Sequence, residues 1–220
     1  MNLKDIHIIL VRPQLGENIG AAARVIKNFE LGDLRIVEPR DGWPNEKAEA
    51  MSAGGKDVIE KAKIYSNVEE AVSDLNFLTA TSARRRGINK EIISPEALYK
   101  SIKDLYYKST DPTFKTGIMF GCEANGLSNE EISYADNIVT IPVSSDYSSL
   151  NLAQSVCVTC YEIFKNKTNS ENSYEQVSGI EQKEFNLSER QDLHDLINAI
   201  EEKMDKDNFY SVPEKKEGMM

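Results

Sequence analysis

Residues 117–131 read Gly-Ile-Met-Phe-Gly-Cys-Glu-Ala-Asn-Gly-Leu-Ser-Asn-Glu-Glu, and this stretch decides the fold. It opens with an apolar run of the length that a buried strand needs, and Gly121 ends that run. Ser128 followed by Glu131 is a capping box, which predicts that a short helix starts there. Because glycine has no Cβ, the turn between strand and helix lets backbone approach a ligand closely.

A second unit of the same kind follows along the chain. Residues 137–141 form an apolar run that leads through Pro142 into a loop of hydroxyls and amides at residues 144–151, and a helix is predicted from there to Phe164. In α/β sheets, ligands bind outside the carboxyl ends of the strands, so we expect both polar loops to face one crevice. Ordinary connecting loops remain the alternative, since glycine turns and N-caps are common in such domains.

The first half of the chain repeats this alternation of strands and helices. Strands are predicted at residues 6–11, 34–37, 64–65 and 77–81, and helices at residues 21–29, 48–62, 68–75 and 95–107. Asn18 is the predicted N-cap of the first helix. The continuous apolar character of the first strand indicates a central, parallel position. The alternation alone therefore predicts an α/β fold with an ordinary doubly wound parallel sheet.

Composition limits the class of protein. A chain of 220 residues with 40% apolar residues can form one domain of about 150 to 170 residues and an appendage. The net charge of −10 argues against a protein that coats nucleic acid non-specifically. There is neither an apolar run of about 18 residues nor a signal-peptide core, so we expect a cytoplasmic protein.

The cysteines and histidines predict no metal site. Cys157 and Cys160 have CxxC spacing, but they lie in an apolar helical run without a second pair of ligands. His7 and His194 are far apart in the sequence. We therefore interpret the two cysteines as small core residues and the odd total of three as free thiols.

One dense basic cluster, Arg84–Arg86, follows the predicted strand that ends at Thr81. A run of arginines is often only a solvated loop. Its place at the carboxyl end of a strand favours contact with phosphate groups, for which arginine offers a bidentate fork.

The last quarter of the chain has a different character. Residues 166–187 are poor in large apolar side chains, which predicts a flexible linker. Ser188 and Gln191 form a predicted capping box for a final helix. That helix has an apolar stripe at Leu193, Leu196, Ile197, Ile200 and Met204. We expect the stripe to dock on its own domain, with a dimer interface or a substrate-binding module as alternatives.

Three separated motifs together resemble those of the SpoU-type RNA ribose 2′-O-methyltransferases, a branch of the SPOUT class. They are Asn18–Gly20 with Arg24, residues 120–131, and residues 141–153. The resemblance covers about residues 5–165. Residues 81–84 and the Tyr-Ser-Ser-Leu-Asn-Leu loop are most similar to the bacterial tRNA methyltransferases that modify nucleotide 32 of the anticodon loop.

The resemblance implies an architecture beyond the one that alternation predicts. The sheet of a domain at residues 1–165 would carry a C-terminal trefoil knot, and two chains would form a homodimer with RNA bound across the interface. Residues 166–187 would be the linker, and residues 188–220 a helical extension shorter than is usual in the family.

The resemblance also implies the functional residues. Those expected to bind S-adenosylmethionine are Thr81, Ser82, Ala83, Gly121, Ile141, Ser148, Ser149 and Leu150. Those expected to form the catalytic group are Asn18, Arg24, Glu123, Ser149 and Asn151. Those expected to contact RNA are Arg84, Arg85, Arg86 and Tyr147. An arginine stays protonated at neutral pH, so we interpret Arg24 as a phosphate and alkoxide contact rather than as a base.

The chain departs from the family pattern at Cys122, where an arginine is usual. There is consequently no lysine or arginine between Lys115 and Lys165. If the usual arginine orients Glu123 or contacts RNA, restoring it should raise catalytic efficiency. The sequence thus predicts a tRNA ribose methyltransferase, with an rRNA methyltransferase and a catalytically weakened RNA- or cofactor-binding module as the alternatives.

Overall fold

A seven-stranded parallel sheet forms the centre of the molecule. The computed structural model describes residues 1–83, 89–171 and 188–207. The strands are β1 (Ile6–Val11), β2 (Leu34–Val37), β3 (Lys63–Tyr65), β4 (Phe77–Thr81), β5 (Glu91–Ile93), β6 (Thr116–Phe120) and β7 (Asn137–Val139). Their order across the sheet is β3-β2-β1-β6-β4-β7-β5, and every pairing between these strands is parallel.

Helices cover both faces of this sheet. They are α1 (Gly16–Asn28), α2 (Glu46–Ser52), α3 (Lys56–Lys61), α4 (Val68–Val72), α5 (Pro95–Lys108), α6 (Asn129–Ser133), α7 (Leu152–Glu171) and α8 (Arg190–Lys206). One core lies between the sheet and α1, α2, α3, α5 and α7, and the other lies beneath α4 and α6. Within β1, Ile8 and Leu10 belong to the first core and Ile9 and Val11 to the second. Burial on both faces explains why this strand is apolar throughout.

The strand order gathers the loops that matter for function. β6 lies between β1 and β4, and β7 pairs with the other side of β4. The segments that follow β1, β4, β6 and β7 therefore leave the sheet at the same edge, as the sequence predicts.

Two local predictions are wrong in detail, and one strand is missed. Helix α1 begins at Gly16, so Asn18 lies within its first turn and is buried instead of capping it. The predicted helix over residues 48–62 is divided by a 3₁₀ turn at Ala53–Gly55, because the glycine pair interrupts it. Edge strand β5 is not predicted, since its three largely exposed residues are too few to show a period.

The C-terminal part also differs from expectation. Helix α7 extends to Glu171, so the first residues assigned to the linker are helical, and residues 172–187 lie outside the described part of the chain. Helix α8 has Glu189 at its N-cap, without the side-chain bond that Ser188 was expected to supply.

Helix α8 docks through polar residues rather than through its apolar stripe. Its buried side chains are Arg190 and His194. Arg190 pairs with Asp136, and the His194 ring lies edge-on to Tyr134 at 4.4 Å between ring centroids. The stripe residues Leu193, Leu196, Ile197 and Ile200 are 37–58% exposed, so the expectation that they dock on their own domain is wrong. No helix among the described residues is long and apolar enough to span a membrane.

Candidate active site

A cavity of about 320 Å³ lies at the carboxyl ends of β4, β6 and β7. All eight residues that the sequence assigns to the cofactor line it: Thr81, Ser82, Ala83, Gly121, Ile141, Ser148, Ser149 and Leu150. Three loops from separate parts of the chain thus meet around one space. Sequence reasoning missed the apolar walls, which include Phe120, Leu127, Val139 and Leu152. In the sequence these side chains have no feature that distinguishes them from the rest of the core.

The floor of the cavity is a tight turn after β6. The Gly126 amide donates to the Cys122 carbonyl at 2.9 Å, and Gly126 has a positive φ of 67°. A Cβ on Gly121 would lie 2.1 Å from the Gly126 carbonyl carbon and 2.2 Å from the Leu127 nitrogen. Only glycine therefore allows the chain to fold back this closely.

The wall after β4 is held by the strands on either side. The Thr81 hydroxyl donates to the Met119 carbonyl at 3.0 Å. The Ser82 amide donates to the Val139 carbonyl at 3.0 Å, and the Thr140 hydroxyl donates to the Ser82 carbonyl at 2.9 Å. These bonds use backbone and hydroxyl groups to fix the segment, which leaves the cavity with a defined rim.

Three of the predicted catalytic residues form one hydrogen-bonded chain. The Asn18 amide nitrogen donates to Glu123 Oε1 at 2.7 Å, and the Asn151 amide nitrogen donates to Asn18 Oδ1 at 3.0 Å. The Asn151 Oδ1 atom accepts from the Ala153 amide at 2.8 Å and from the Gln154 amide at 3.3 Å, which caps α7. Helices α1 and α7 are thereby joined to the cavity floor.

This chain of bonds has a single polarity. An ionised carboxylate only accepts hydrogen bonds, so Glu123 requires the nitrogen of Asn18 to face it. The oxygen of Asn18 then faces Asn151, whose own oxygen is left for the amides of α7. The Glu123 carboxylate also accepts from the backbone of Gln14 at 2.8 Å and of Leu15 at 3.2 Å. It therefore orients both amide side chains and the loop after β1.

Cys122 takes no part in orienting Glu123. Its side chain is buried, and its thiol lies 3.6 Å from the Gly126 carbonyl. The donors that hold Glu123 come from α1 and the loop before it. Glu123 is thus oriented without an arginine at position 122, and the gain of efficiency expected from restoring that arginine stays a prediction.

The other predicted functional residues are not part of this hydrogen-bonded chain. Ser149 lines the cavity, and Tyr147 lies on the exposed loop beside it with 77% of its surface accessible. Arg24 is exposed on α1, six residues beyond Asn18, which places it about 9 Å along the axis and on another face of the helix. The arginine cluster 84–86 lies outside the described residues.

An ion pair that the sequence does not reveal joins the end of β1 to α6. The Arg12 guanidinium binds both carboxylate oxygens of Glu131, with Nη2 at 2.9 Å from Oε2. Glu131 also accepts from the Ser128 amide at 2.7 Å, completing the predicted capping box. Hydrogen bonding to Glu131 is the main cause of the raised pKa of Arg12. No sequence pattern connects two residues that are 119 positions apart.

Cys157 and Cys160 are not among the residues that line the cavity. Cys160 is buried in the core, as predicted, and burial raises the pKa of its thiol. Cys157 is half-buried one turn earlier on α7. Across the part of the chain that the structure describes, no three His, Cys, Asp or Glu side chains are grouped as metal ligands.

Residues 5–161 match the profile of the SpoU rRNA methylase family. The chain belongs to this family. The tRNA (cytidine-2′-O-)-methyltransferase TrmJ of Methanocaldococcus jannaschii is 38% identical over 165 residues, covering 74% of this chain and 68% of the relative. The tRNA/rRNA methyltransferase LasT of Escherichia coli, itself uncharacterised, is 37% identical over 164 residues, covering 72% and 67%. The chain thus spans about two thirds of the length of both SpoU relatives.

Solved structures have the same architecture. TrmJ from Z. mobilis ZM4 superposes with a TM-score of 0.79 at 37% identity, covering 95% of this chain and 84% of that one. AviRb of Streptomyces viridochromogenes, solved in complex with the cofactor AdoMet, shares the fold at 21% identity, covering 76% and 62%, with a TM-score of 0.57. The SPOUT fold class is therefore confirmed, and the chain is an RNA 2′-O-methyltransferase.

Proposed function

We propose that this enzyme transfers a methyl group from S-adenosylmethionine to the ribose 2′-hydroxyl of a tRNA, at nucleotide 32 of the anticodon loop. The observation that carries the proposal is the cavity lined by all eight expected cofactor residues, with Glu123 on its wall and the Asn18–Asn151 pair behind it. Relatives named for tRNA 2′-O-methylation support the choice of RNA.

The cavity fits the cofactor in size and chemistry. About 320 Å³ lies within the range of roughly 300 to 1,000 Å³ that is usual for small-molecule sites. Apolar walls suit an adenine ring, while the hydroxyls of Ser148 and Ser149 suit polar groups. Glu123 is the only charged side chain among the described lining residues, and a carboxylate favours a positively charged ligand. When bound, S-adenosylmethionine supplies a methyl group on a positively charged sulfonium.

The role of this chain is then to position a ribose hydroxyl in line with that methyl group. Holding two reactants in such a geometry contributes several kcal/mol to lowering the barrier. Glu123 fixes Asn18, and Asn18 fixes Asn151, so hydrogen bonds hold the segment beside the cavity. We assign Ser149 and Asn151 to the reacting ribose, and Arg24 to its phosphate and to the developing alkoxide.

The position of Arg24 makes the homodimer part of this proposal. Arg24 lies on a different face of α1 from Asn18, and no hydrogen bond or ion pair is found for it within the described residues. We therefore propose that it acts at the site of a second subunit. RNA contacts by Arg84–Arg86 and Tyr147, the trefoil knot and the cytoplasmic location stay predictions.

An rRNA ribose remains the second candidate, because the family profile is that of rRNA methylases. Incubating the protein with labelled S-adenosylmethionine and either bulk tRNA or bulk rRNA, then mapping the modified ribose, separates the two. We expect label in tRNA at a single anticodon-loop ribose. Label only in rRNA would replace the proposed substrate, and label at another tRNA ribose would replace the proposed nucleotide.

A further inference from the structure

The polypeptide that forms the cavity floor and the loop beside it has no basic side chains. The sequence has no lysine or arginine between Lys115 and Lys165, and this span supplies most of the lining residues. Every internal ribose of an RNA is flanked by phosphates, so a ribose at the cavity brings negative charge with it. Besides Arg24 of a second subunit, other loops at the carboxyl ends of the strands can supply positive charge to meet those phosphates.

Arg12 is one source of that charge. It directly follows β1 in a left-handed backbone conformation, with φ of 48°, and its amide donates to the Val37 carbonyl at 2.8 Å. The bidentate pair with Glu131 holds one edge of the guanidinium. The side chain is still 42% exposed, and a guanidinium has five N–H donors, so others remain for a second anion.

Arg40 is the second source. Its amide donates to the Pro13 carbonyl at 3.1 Å, which places it against the residue that follows Arg12. Its guanidinium is half exposed and pairs with the adjacent Asp41 at 2.8 Å. An exposed ion pair of this kind contributes little stability, so a phosphate can replace Asp41 as the partner of the guanidinium. The pKa of Arg40 is raised, mainly by its hydrogen bond to Asp41. The negative charge of Glu123 also raises this pKa.

One short loop fixes both arginines relative to the catalytic residues. Residues 12–15 are held by Glu131 on one side, by the backbone of β2 and Arg40 on another, and by Glu123, which accepts from the amides of Gln14 and Leu15. The same carboxylate orients Asn18. The arginines and the catalytic chain of amides thus share one rigid support.

We propose that Arg12 and Arg40 form a phosphate-binding pair that holds the RNA backbone beside the target ribose. The pair supplies, from the loops after β1 and β2, the positive charge that Cys122 does not. Its partner is an RNA phosphodiester, so the inference rests on the proposed function. Arginine is suited to the task because its fork binds two phosphate oxygens at once.

The test compares two double variants that lose the same charge. In Arg12→Gln/Arg40→Gln, the affinity for tRNA should fall at least about 10-fold, as expected for loss of charge-assisted bonds. The slope of log affinity against log salt should fall by about 1.5 units, since each phosphate contact contributes about 0.7 to 0.9. Lys61→Gln/Lys63→Gln removes two exposed charges at the amino end of β3, away from the loops at the carboxyl ends of the strands. This variant should leave the slope nearly unchanged.

Two further measurements keep the result clear. Arg12→Gln leaves Glu131 without its ion-pair partner, so thermal unfolding is measured as well. Arg40 has no buried partner, and Arg40→Gln alone should still lower the salt slope by about 0.7 to 0.9. Binding of S-adenosylmethionine by Arg40→Gln should not change. A wild-type salt slope in the arginine variants, or an equal loss in the lysine control, would overturn the pair. Failure of the wild type to methylate either RNA contradicts the proposed function instead.

Discussion

At the scale of single residues, the two asparagines of the site are oriented by their partners. Each uses its nitrogen toward the carboxylate side and its oxygen toward α7. Neither Asn18 nor Asn151 lines the cavity. Their hydrogen bonds connect Glu123 to the start of α7, where the loop that contains Ser149 ends.

We predict that Asn151→Asp lowers turnover roughly 10 to 1,000-fold, the range for loss of one well-placed polar group. The aspartate keeps the oxygen that caps α7, but it cannot donate to Asn18. If Asn18 turned round to donate to it, its oxygen would face Glu123. One bond is lost in either case, while the folded state keeps its cap.

The measurement is kcat together with the melting temperature. Asn67→Asp is the matched control, because Asn67 caps α4 on the other face of the sheet and accepts from the Glu70 amide at 2.8 Å. We expect both variants to unfold near the wild-type temperature and only Asn151→Asp to lose turnover. Equal turnover in the two variants would remove Asn151 from the mechanism.

We predict that Gly121→Ala destabilises the protein by about 1 to 3 kcal/mol or more, because its Cβ would overlap the backbone of Gly126 and Leu127. That corresponds to a melting temperature lower by about 2 to 4 °C for each kcal/mol. Cofactor binding should weaken as the turn opens. Gly54→Ala is the control, since a Cβ there meets nothing within 4 Å. A Gly121→Ala protein as stable as this control would mean that the turn can relax.

At the scale of secondary-structure elements, α8 is attached by polar groups, among them the Gln191 amide, which donates to the Ser73 carbonyl at 3.1 Å. Arg190 reaches Asp136, which also accepts from the Leu78 amide at 2.8 Å, and His194 packs against Tyr134. Neither ring nitrogen of His194 has a hydrogen-bond partner among the described residues. Burial lowers the pKa of His194, and Arg190 lowers it further, whereas Glu69 and Asp195 raise it.

We predict that docking of α8 weakens as the pH falls below about 6.5, the ordinary pKa of histidine. The pKa of His194 is lower in the docked state than in the free chain, so docking is strongest above that value. It weakens as the pH falls toward the lowered pKa, because the undocked helix then binds the extra proton more readily. Amide hydrogen exchange of α8 at pH 7 and pH 5, corrected for intrinsic rates, measures the effect.

His194→Phe is the control for this experiment. A phenyl ring can keep the edge-on contact with Tyr134 but cannot take up a proton. Exchange from α8 should therefore depend less on pH in the variant than in the wild type. The same pH dependence in both proteins would assign the effect to other groups.

At the scale of the whole molecule, the described chain has features that one subunit alone does not use. The apolar stripe of α8 is exposed, and Arg24 lies away from the catalytic amides of its own chain. Both features support the proposed homodimer. We predict a mass of about 49 kDa at micromolar concentration, twice the 24.7 kDa of one chain. A mass of 24.7 kDa under those conditions would contradict it.

Mixing two inactive variants tests whether Arg24 acts on the partner subunit. Arg24→Ala and Asn151→Ala should each be nearly inactive alone. In a mixed dimer, one of the two sites would combine an intact Asn151 with the partner's Arg24. Random mixing should thus restore about a quarter of the wild-type activity, because half of the dimers would be mixed. No recovery, with mixed dimers confirmed by mass, would mean that both residues act within one chain.

The sequence by itself determined the α/β alternation and the position of the cofactor loops. Apolar runs followed by glycine turns and caps are local patterns, and parallel strands bring the loops that follow them to one edge. This is why the loops after β6 and β7 could be expected to face one crevice. The assignment of Thr81, Gly121 and Ser149 to a cofactor site rests on the resemblance, and so does the prediction of a knot, since alternation predicts an ordinary sheet.

Only the tertiary structure decided which polar side chains meet. Asn18 bonds to Asn151 across 133 positions, and Arg12 bonds to Glu131 across 119. Such pairs depend on strand order, which places β6 beside β1, and local periodicity does not encode that order. The docking of α8 follows the same principle, because a hydrophobic stripe shows which face can be buried, while the partners available on the domain determine which face is.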